Sequence, residues 1–266
     1  MRIVKLQVLV STMNQADHSL LDRMNIQTDA IVINQCDRNE IETFTYKGHK
    51  IQWFSLKERG IGLSRNTALM RANADIVLFA DDDVVYVDGY ESIICNVFNE
   101  KLDASMIVFN ITSQNPDRPE FIDDITHKLK LTNCLRYGAA RIAVRTNDIK
   151  KANIFYSLLF GGGAKYQAGE DNLFITECIK KKLTCYASHE CLGMVKQEES
   201  TWFKGYNEKY YFDRGALFAA MYGSYAHIML LLFEIKNISK RENIPFSQRY
   251  KLEKSGVRQF LSNIDD

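Results

Sequence analysis

Apolar and polar residues alternate along the first third of the chain in a pattern that predicts strands separated by helices. Short apolar runs occupy residues 6–10, 30–33 and 76–80, and each ends at a polar cluster. Apolar residues recur at helical spacing in the segments 19–25 and 63–74. Because the strands are apolar throughout and alternate with helices, we predict an α/β fold whose mostly parallel central sheet is flanked by helices.

The middle of the chain continues this pattern less regularly. Residues 51–54, 105–111, 141–144 and 183–187 are further strand candidates, and apolar residues at helical spacing after Gly169 predict a helix before the last of them. The predicted sheet therefore extends to about residue 190.

A change in character near residue 200 divides the chain into two predicted units. Residues 1–200 carry the α/β pattern, whereas residues 201–266 read as a helical extension. Within it, residues 216–233 are almost uncharged, a length marginal for crossing a bilayer, so we predict a buried helix pair rather than a membrane span. This extension is the candidate for acceptor or membrane contact.

Composition narrows the class of protein. Apolar residues make up 46% of the 266 residues and charged residues 25%, which is typical of globular proteins. A net charge of +1 lacks the basic footprint of nucleic-acid binders. The six cysteines are scattered, and no signal-peptide pattern opens the chain. We expect a cytoplasmic protein with free thiols, with the inner face of the cell membrane as a further location.

Three consecutive carboxylates, Asp81-Asp82-Asp83, directly follow the apolar run at 76–80. Like charges this close raise one another's pKa unless a cation neutralises them, and oxygen ligands suit Mg²⁺ or Mn²⁺. Ligands bind beyond the carboxyl ends of strands in open α/β sheets, which places this run at the binding edge. A solvated turn is the alternative interpretation.

The same edge gathers polar residues from the first two predicted strands. Ser11, Thr12 and Asn14 follow the first strand, and Asn34 and Asp37 follow the second. Because the carboxyl ends of parallel strands meet at one edge, we expect these side chains to share a ligand site with the aspartate run.

Arg65 lies in the first turn of a predicted helix, with Ser64 as its N-cap. The free N–H groups of a helix start and a guanidinium both suit phosphate oxygens. Phosphate binding is therefore one interpretation of Arg65, and a surface salt bridge is the other.

Glycines and carboxylates combine in the segment that precedes the last predicted helix. Gly161-Gly162-Gly163 predicts a flexible or tight loop that a sugar can approach closely. Glu170 and Asp171 then open the helix, where an N-cap role is the alternative to catalysis. Trp202 begins an aromatic-rich stretch suited to stacking on sugars, with the core as the alternative. We expect an acceptor near this segment.

These segments together resemble the family 2 glycosyltransferases, inverting enzymes with the GT-A fold. The likeness covers about residues 6–190, and the order and spacing of its motifs are more specific than any one of them. The segments that carry it are Val8-Leu9-Val10-Ser11-Thr12, Gly60-Ile61-Gly62-Leu63-Ser64-Arg65-Asn66-Thr67-Ala68-Leu69, Asp81-Asp82-Asp83 and Gly169-Glu170-Asp171. The resemblance implies a Rossmann-like GT-A fold with a helical C-terminal appendage.

The resemblance also implies roles for individual residues. Asp171 would be the catalytic base, and Glu170 would contact the acceptor or hold its loop. The implied donor-binding residues are Ser11, Thr12, Asn14, Asn34, Asp37, Arg65, Asp81 and Asp82. The implied metal ligands are Asp83, Asp81 and His189, and the implied acceptor-binding residues are Gly161, Gly162, Gly163 and Trp202.

Three of these assignments stay open at the level of sequence. Many family members have an acidic residue where this chain has Asn34, so the nucleobase is not fixed. The important aspartate pair is either Asp81 with Asp83 or Asp82 with Asp83. A lone histidine such as His189 also serves structural roles.

The function implied is a metal-dependent inverting glycosyltransferase using Mn²⁺ or Mg²⁺. It would move a sugar from a nucleotide-diphosphate donor, a UDP-sugar by preference, to a saccharide or lipid-linked saccharide in surface polysaccharide synthesis. The alternatives are a nucleotidyltransferase, which would carry a Gly-rich basic phosphate loop after the first strand, and a catalytically silent saccharide-binding module of the same fold.

Overall fold

The computed structural model describes residues 4–196, 205–236 and 244–263. The strands in these residues are β1 (Leu6–Met13), β2 (Asp29–Gln35), β3 (Glu40–Tyr46), β4 (His49–Leu56), β5 (Ile76–Asp81), β6 (Val84–Tyr86), β7 (Met106–Ser113), β8 (His127–Lys128), β9 (Ile142–Arg145) and β10 (Cys185–Val195). The α-helices are α1 (Leu20–Arg23), α2 (Ile61–Arg71), α3 (Tyr90–Glu100), α4 (Thr146–Lys151), α5 (Glu170–Lys180), α6 (Glu208–Tyr222), α7 (Ala226–Lys236) and α8 (Phe246–Ser262).

The strands form one sheet in the order β3-β4-β2-β1-β5-β9-β7-β10-β6, with β8 paired to β10. β1 pairs in parallel with β2 on one side and with β5 on the other, so the strand order reverses at β1. A crevice opens at such a reversal, beyond the carboxyl ends of the strands. This crevice lies where the sequence predicted a ligand site.

The neighbouring strands β4, β2, β1 and β5 are parallel, as predicted, but the sheet in the described residues is mixed, with four parallel and five antiparallel pairings. β9 is a correctly predicted strand that runs antiparallel between β5 and β7. β3 was not predicted, and it forms an antiparallel hairpin with β4 through Lys47 and Gly48, whose φ angles are 48° and 86°. Positive φ at both turn residues is the geometry of a tight two-residue hairpin.

The core has two layers because alternate residues of each strand point to opposite faces of the sheet. Val8 and Val10 join the apolar cluster that covers one face, whereas Leu9 joins the cluster on the other face. α1 and α3 pack on the first face, and α2 and α5 pack on the second. Helices on both faces keep the sheet buried and its carboxyl edge fixed.

The C-terminal helices form a third apolar cluster. α6 and α8 approach closely through two glycines: a Cβ at Gly215 would lie 2.0 Å from the Glu253 carbonyl oxygen, and one at Gly256 would lie 2.0 Å from that of Phe212. The stretch Glu208–Lys236 has the length and mean hydropathy, 1.6, of a membrane span. It divides at Gly223, where φ is 53°, into the predicted pair of helices, but only 33% of its most apolar window is buried, so the pair is not buried as predicted.

A buried ion network connects the three helices. The guanidinium of Arg214 on α6 pairs with Glu234 on α7 and Glu253 on α8. Arg249 on α8 also pairs with Glu234, at 3.1 Å. All four side chains are buried, so each charge depends on its partners for compensation. Tyr211, in the aromatic stretch of the sequence, is buried beside this network in agreement with the core interpretation.

Candidate active site

Arg65 is the centre of the site that the crevice contains. Its side chain is 3% exposed, and its guanidinium lies 2.9 Å from Asp81, 3.0 Å from Glu170 and 2.7 Å from Asp171. Asp81 ends β5, whereas Glu170 and Asp171 begin α5. One buried cation therefore joins the aspartate run to the Glu-Asp motif.

The helix-start position predicted for Arg65 is wrong, and its ion pairs are buried, unlike the surface salt bridge that was the alternative interpretation. α2 begins at Ile61 with Gly60 as its N-cap, four residues earlier than a Ser64 cap would require. Ser64 is buried inside the helix, and its hydroxyl donates to Ser11 Oγ at 2.8 Å. Arg65 consequently reaches carboxylates from the body of the helix.

The residues around Arg65 hold it in place from behind. The Asn66 side chain donates to the Tyr156 carbonyl at 2.9 Å and accepts from the Tyr156 N–H at 2.8 Å. The Tyr156 ring stacks on Phe174 at 4.3 Å between centroids and lies 5.1 Å from the Arg65 guanidinium carbon. Each residue of the Ser-Arg-Asn motif thus has a separate partner, which fixes the orientation of the guanidinium.

Asp171 has the electrostatics of a general base. Burial, together with the negative charges of Glu170 and Asp81, raises the pKa of Asp171 to about 7, although the Arg65 charge and a hydrogen bond from the Ala139 N–H act in the opposite direction. That N–H lies 2.9 Å from Oδ2. The N-cap of α5 is Gly169, not Asp171, so capping does not account for this carboxylate. A pKa near 7 suits proton transfer at neutral pH.

The three aspartates of the run have different partners. Asp81 pairs with Arg65, and Asp82 accepts a hydrogen bond of 2.5 Å from the Thr12 hydroxyl. Asp83 has no cationic partner among the residues that the structure describes. Its burial and the charges of Asp81 and Asp82 raise its pKa to about 6. Among the described residues, Asp83 is therefore the carboxylate of the run with neither a cation nor a side-chain hydrogen-bond donor as a partner.

A cavity of about 1120 Å³ occupies the crevice. This volume is slightly above the range of about 300–1,000 Å³ that is typical of ligand pockets. The residues predicted from sequence that line it are Ser11, Thr12, Asn14, Arg65, Asp81, Asp82, Asp83, Gly162, Glu170 and Asp171. A second cavity of about 210 Å³ shares Asp81, Asp83 and Asp171 with the first and adds the ion pair of Glu120 and Arg141.

Two of the predicted donor-binding residues do not line either cavity. Asn34 is fully buried, accepts from the Gln15 N–H at 3.0 Å and donates to the Gln15 carbonyl at 3.0 Å and to Ser55 at 3.2 Å. The side chain of Asp37 is 96% exposed and pairs with Arg59 at 2.8 Å. Asn34 therefore supports the loop after β1, and Asp37 lies on the surface.

His189 lies apart from the aspartate run. It was predicted to follow the last strand, but β10 extends to Val195, and His189 sits at a register irregularity within it. The Lys196 N–H, beyond the far end of β10, bonds the Asp83 carbonyl at 3.0 Å. His189 instead lies 2.9 Å from the Thr126 hydroxyl, and among the described residues it does not join Asp83 in a group of three His, Cys, Asp or Glu side chains.

The triple glycine packs against the site, and Trp202 lies outside the described residues. A Cβ on Gly161 would be 2.6 Å from the Ile61 side chain and 2.8 Å from Glu170. The Gly162 carbonyl accepts from the Ile61 N–H at 3.0 Å, and Gly163 has a φ of 83°. Gly161 and Gly163 are not among the cavity-lining residues, so the loop's observed contribution is close packing beside Glu170.

Several cavity residues had no recognisable signal in the sequence. Arg118, Arg136, Tyr137 and Gln167 line the larger cavity from irregular segments. Arg136 lies over the Phe121 ring at 4.3 Å. The other site residues were identified because they follow predicted strands, and these four do not. Only the tertiary fold brings them to the crevice.

Comparisons with known proteins identify the fold. No protein-family model matches the sequence, and no curated protein matches it. The structure of S. aureus TarS 1-349 in complex with UDP-GlcNAc superposes with a TM-score of 0.66 and 17% identity, over 98% of this chain and 80% of that one. The structure of S. aureus TarS 1-349 in complex with UDP superposes with a TM-score of 0.64 and 13% sequence identity. That match covers 98% of this chain and 91% of the other.

A longer TarS structure gives a TM-score of 0.61 and 16% identity, and the match covers 90% of this chain but 44% of that one. Identities this low establish shared architecture rather than shared activity. This chain has a mixed α/β, GT-A-like fold with a helical C-terminal part.

Proposed function

We propose that this chain is a nucleotide-sugar glycosyltransferase in which Asp171 is the general base. The observation that carries the proposal is the buried Arg65, which holds Asp171 and the aspartate run together in one cavity at the strand-order reversal. A base with a pKa near neutrality beside a carboxylate that needs a cation is what sugar transfer from a diphosphate requires.

The similar structures support the donor class. S. aureus TarS, a glycosyltransferase, was solved with UDP-GlcNAc and with UDP. By analogy we propose a UDP-sugar as donor here. Ser11, Thr12, Asn14 and Gln35 line the part of the cavity beside β1 and β2, where the nucleoside would lie.

The chemistry of Asp83 supports a divalent metal, Mn²⁺ or Mg²⁺. Within residues 4–196, 205–236 and 244–263, no three His, Cys, Asp or Glu side chains group together as a complete metal site. Mg²⁺ is commonly held by one or two carboxylates together with substrate phosphates, so Asp83 with a donor diphosphate fits. When bound, such a metal would stabilise the negative charge on the departing diphosphate.

The proposed reaction is a single displacement with inversion at the anomeric carbon. The Asp171 carboxylate accepts the proton of the acceptor hydroxyl while that oxygen forms the new glycosidic bond and the bond to the diphosphate breaks. Arg65 and the Ala139 N–H orient the carboxylate. Glu170, also held by Arg65, lies beside the glycine loop where an acceptor would enter.

We further propose a saccharide or lipid-linked saccharide as acceptor, with a role in surface polysaccharide synthesis at the inner face of the membrane. The nucleotidyltransferase alternative expects a basic, glycine-rich phosphate loop after β1. The structure has Asn14, Gln15, Ala16 and Asp17 directly after β1, with neither a glycine nor a cation among them. This loop composition favours the glycosyltransferase.

A thermal-shift experiment tests the donor and the metal together. The protein is heated with UDP, GDP, CDP or ADP, each with and without Mn²⁺. We expect UDP with Mn²⁺ to raise the melting temperature most, because ligand binding to the folded state alone stabilises it. D83N should lose the part of the rise in melting temperature that depends on Mn²⁺. D88N, at an exposed aspartate outside the cavity, should retain it. Indifference to every nucleotide would refute the proposal.

A further inference from the structure

The helix α7 carries a strip of exposed apolar side chains. Along this helix and the residue just before it, the exposed fractions are 68% for Tyr225, 60% for Ile228, 37% for Leu231, 56% for Leu232 and 55% for Ile235. Helical periodicity places the four residues of α7 on one face. Soluble monomers rarely expose a continuous apolar patch of this kind without a use for it.

The opposite face of α7 is firmly packed. Ala226, Leu230 and Glu234 are buried against the neighbouring helices, and Glu234 pairs with Arg214 and Arg249 in the buried ion network. The helix therefore has a fixed orientation. Its apolar strip is presented to the outside by the fold.

Among the described residues of α7 and α8, the exposed charged side chains all have one sign. Within α7 and α8, all of whose residues the structure describes, the carboxylates are Glu234 and Glu253, and both are buried. Lys236 and Arg258 are exposed, and Lys254 is half-buried. Burial, and then the charges of Lys254 and Arg258, lower the pKa of His227, so these two cations lie next to α7.

We propose that the α7 strip is a peripheral contact for a membrane surface rich in anionic phospholipid. The apolar side chains would enter the boundary between headgroups and acyl chains, and the flanking Lys236, Lys254 and Arg258 would pair with headgroup phosphates. An apolar strip edged by cations without exposed carboxylates is complementary to such a surface.

Two other arrangements fit the same face less well. A two-fold interface with a second copy would bring identical patches together, placing cations against cations. The described 11 residues of α7 extend about 16 Å, which is about half of a hydrocarbon core of about 30 Å, so they do not span it by themselves. The inference is independent of the proposed transfer reaction, since it rests on α7 and α8 alone.

Vesicle co-sedimentation of the full chain tests this contact. The vesicles contain phosphatidylcholine alone, or equal parts of phosphatidylcholine and phosphatidylglycerol. We expect binding to the anionic vesicles, weakened by salt, and little binding to the neutral ones. The variant I228S/L232S/I235S should bind the anionic vesicles about tenfold more weakly or worse, and K236Q/K254Q/R258Q should lose the preference for them.

Matched controls replace exposed residues elsewhere on the molecule. I41S/L102S/I125S and K57Q/K130Q/K151Q should bind vesicles like the unaltered chain. A melting temperature close to that of the unaltered chain shows that the fold of each variant remains intact. Failure to bind anionic vesicles, or binding unaffected by the α7 substitutions, would overturn the inference. A second result would also overturn it. Light scattering would show that the chain is a dimer and that the apolar substitutions convert it to a monomer, while vesicle binding stays unchanged.

Discussion

At the scale of single residues, the site is organised by one guanidinium surrounded by three carboxylates. Arg65 is buried, and its partners Asp81, Glu170 and Asp171 share its single positive charge. The site therefore has an excess of negative charge before any ligand binds. Such a site favours a cation, and the neighbouring negative charges add to burial in keeping the pKa of Asp171 high.

Replacing Asp171 by asparagine should abolish transfer without abolishing donor binding. The amide cannot take the acceptor proton, so we expect UDP release with acceptor present to fall by about 10²–10⁴-fold. UDP affinity, measured by titration calorimetry, should change little. E177Q, on the same helix but in a surface ion pair, should remain active. An active D171N would identify another group as the base.

The pH dependence of transfer follows from the raised pKa of Asp171. A carboxyl with a pKa of about 7 is protonated below that pH and becomes a base above it, so kcat/KM should rise with pH and level off above about 7. R65K should move the midpoint upward, because a less well-placed cation stabilises the carboxylate less. A profile that stays flat between about pH 6 and 8 would contradict this assignment.

The buried amide of Asn34 gives a different kind of prediction. N34A removes three hydrogen bonds, two to the Gln15 backbone and one to Ser55. We therefore expect the free energy of unfolding to fall by about 2–3 kcal/mol. UDP affinity should also fall, since Gln15 donates to Thr12 at the cavity. Urea denaturation measures the first effect. N99A, at an exposed helix position, serves as the control.

The residue types of the site were predictable from sequence, but their connections were not. The strand-end rule found Thr12 and the aspartates because a strand fixes where its carboxyl end lies. The same rule selected Asn34, whose burial depends on how the loop after β1 folds back over it. No local pattern in the sequence places Arg65 between two motifs that lie on different elements.

At the scale of elements, the parallel strands were predictable and the antiparallel additions were less so. β1, β2 and β5 have continuous apolar runs and are buried along nearly their whole length, because both faces of the sheet are covered. β3 is a mostly exposed edge strand with little apolar signal. β9 was recognised as a strand, but its direction depends on the long connection that precedes it. The extension of β10 to Val195 is what moved His189 away from its predicted place.

The close contact between α6 and α8 predicts a strong effect of adding single methyl groups. G215A and G256A would each place a Cβ 2.0 Å from a backbone oxygen, so the helices must separate. We expect each substitution to cost about 1–3 kcal/mol or more, measured by thermal or urea unfolding. S255A, at an exposed position of α8, should be neutral. Unchanged stability in G215A would mean that the helices do not pack as described.

At the scale of the whole molecule, the proposed metal belongs to the reaction and not to the fold. Asp83 is the one carboxylate of the run without a partner among the described residues, whereas apolar clusters and ion pairs hold the elements together. Chelation by EDTA should therefore abolish UDP release but leave the melting temperature of the ligand-free protein unchanged. Added Mn²⁺ should restore activity. A large fall in melting temperature on chelation would indicate a structural metal instead.

The role of Arg65 has a consequence for how substitutions combine. Because one guanidinium contacts the end of β5 and the start of α5 together, a double-mutant cycle between Asp81 and Asp171 should be strongly non-additive: once one is lost, loss of the other adds little. Segments that are distant in the sequence would then behave as one thermodynamic unit. Among relatives of this chain, Asp81, Arg65 and Asp171 should covary, being retained together or replaced together.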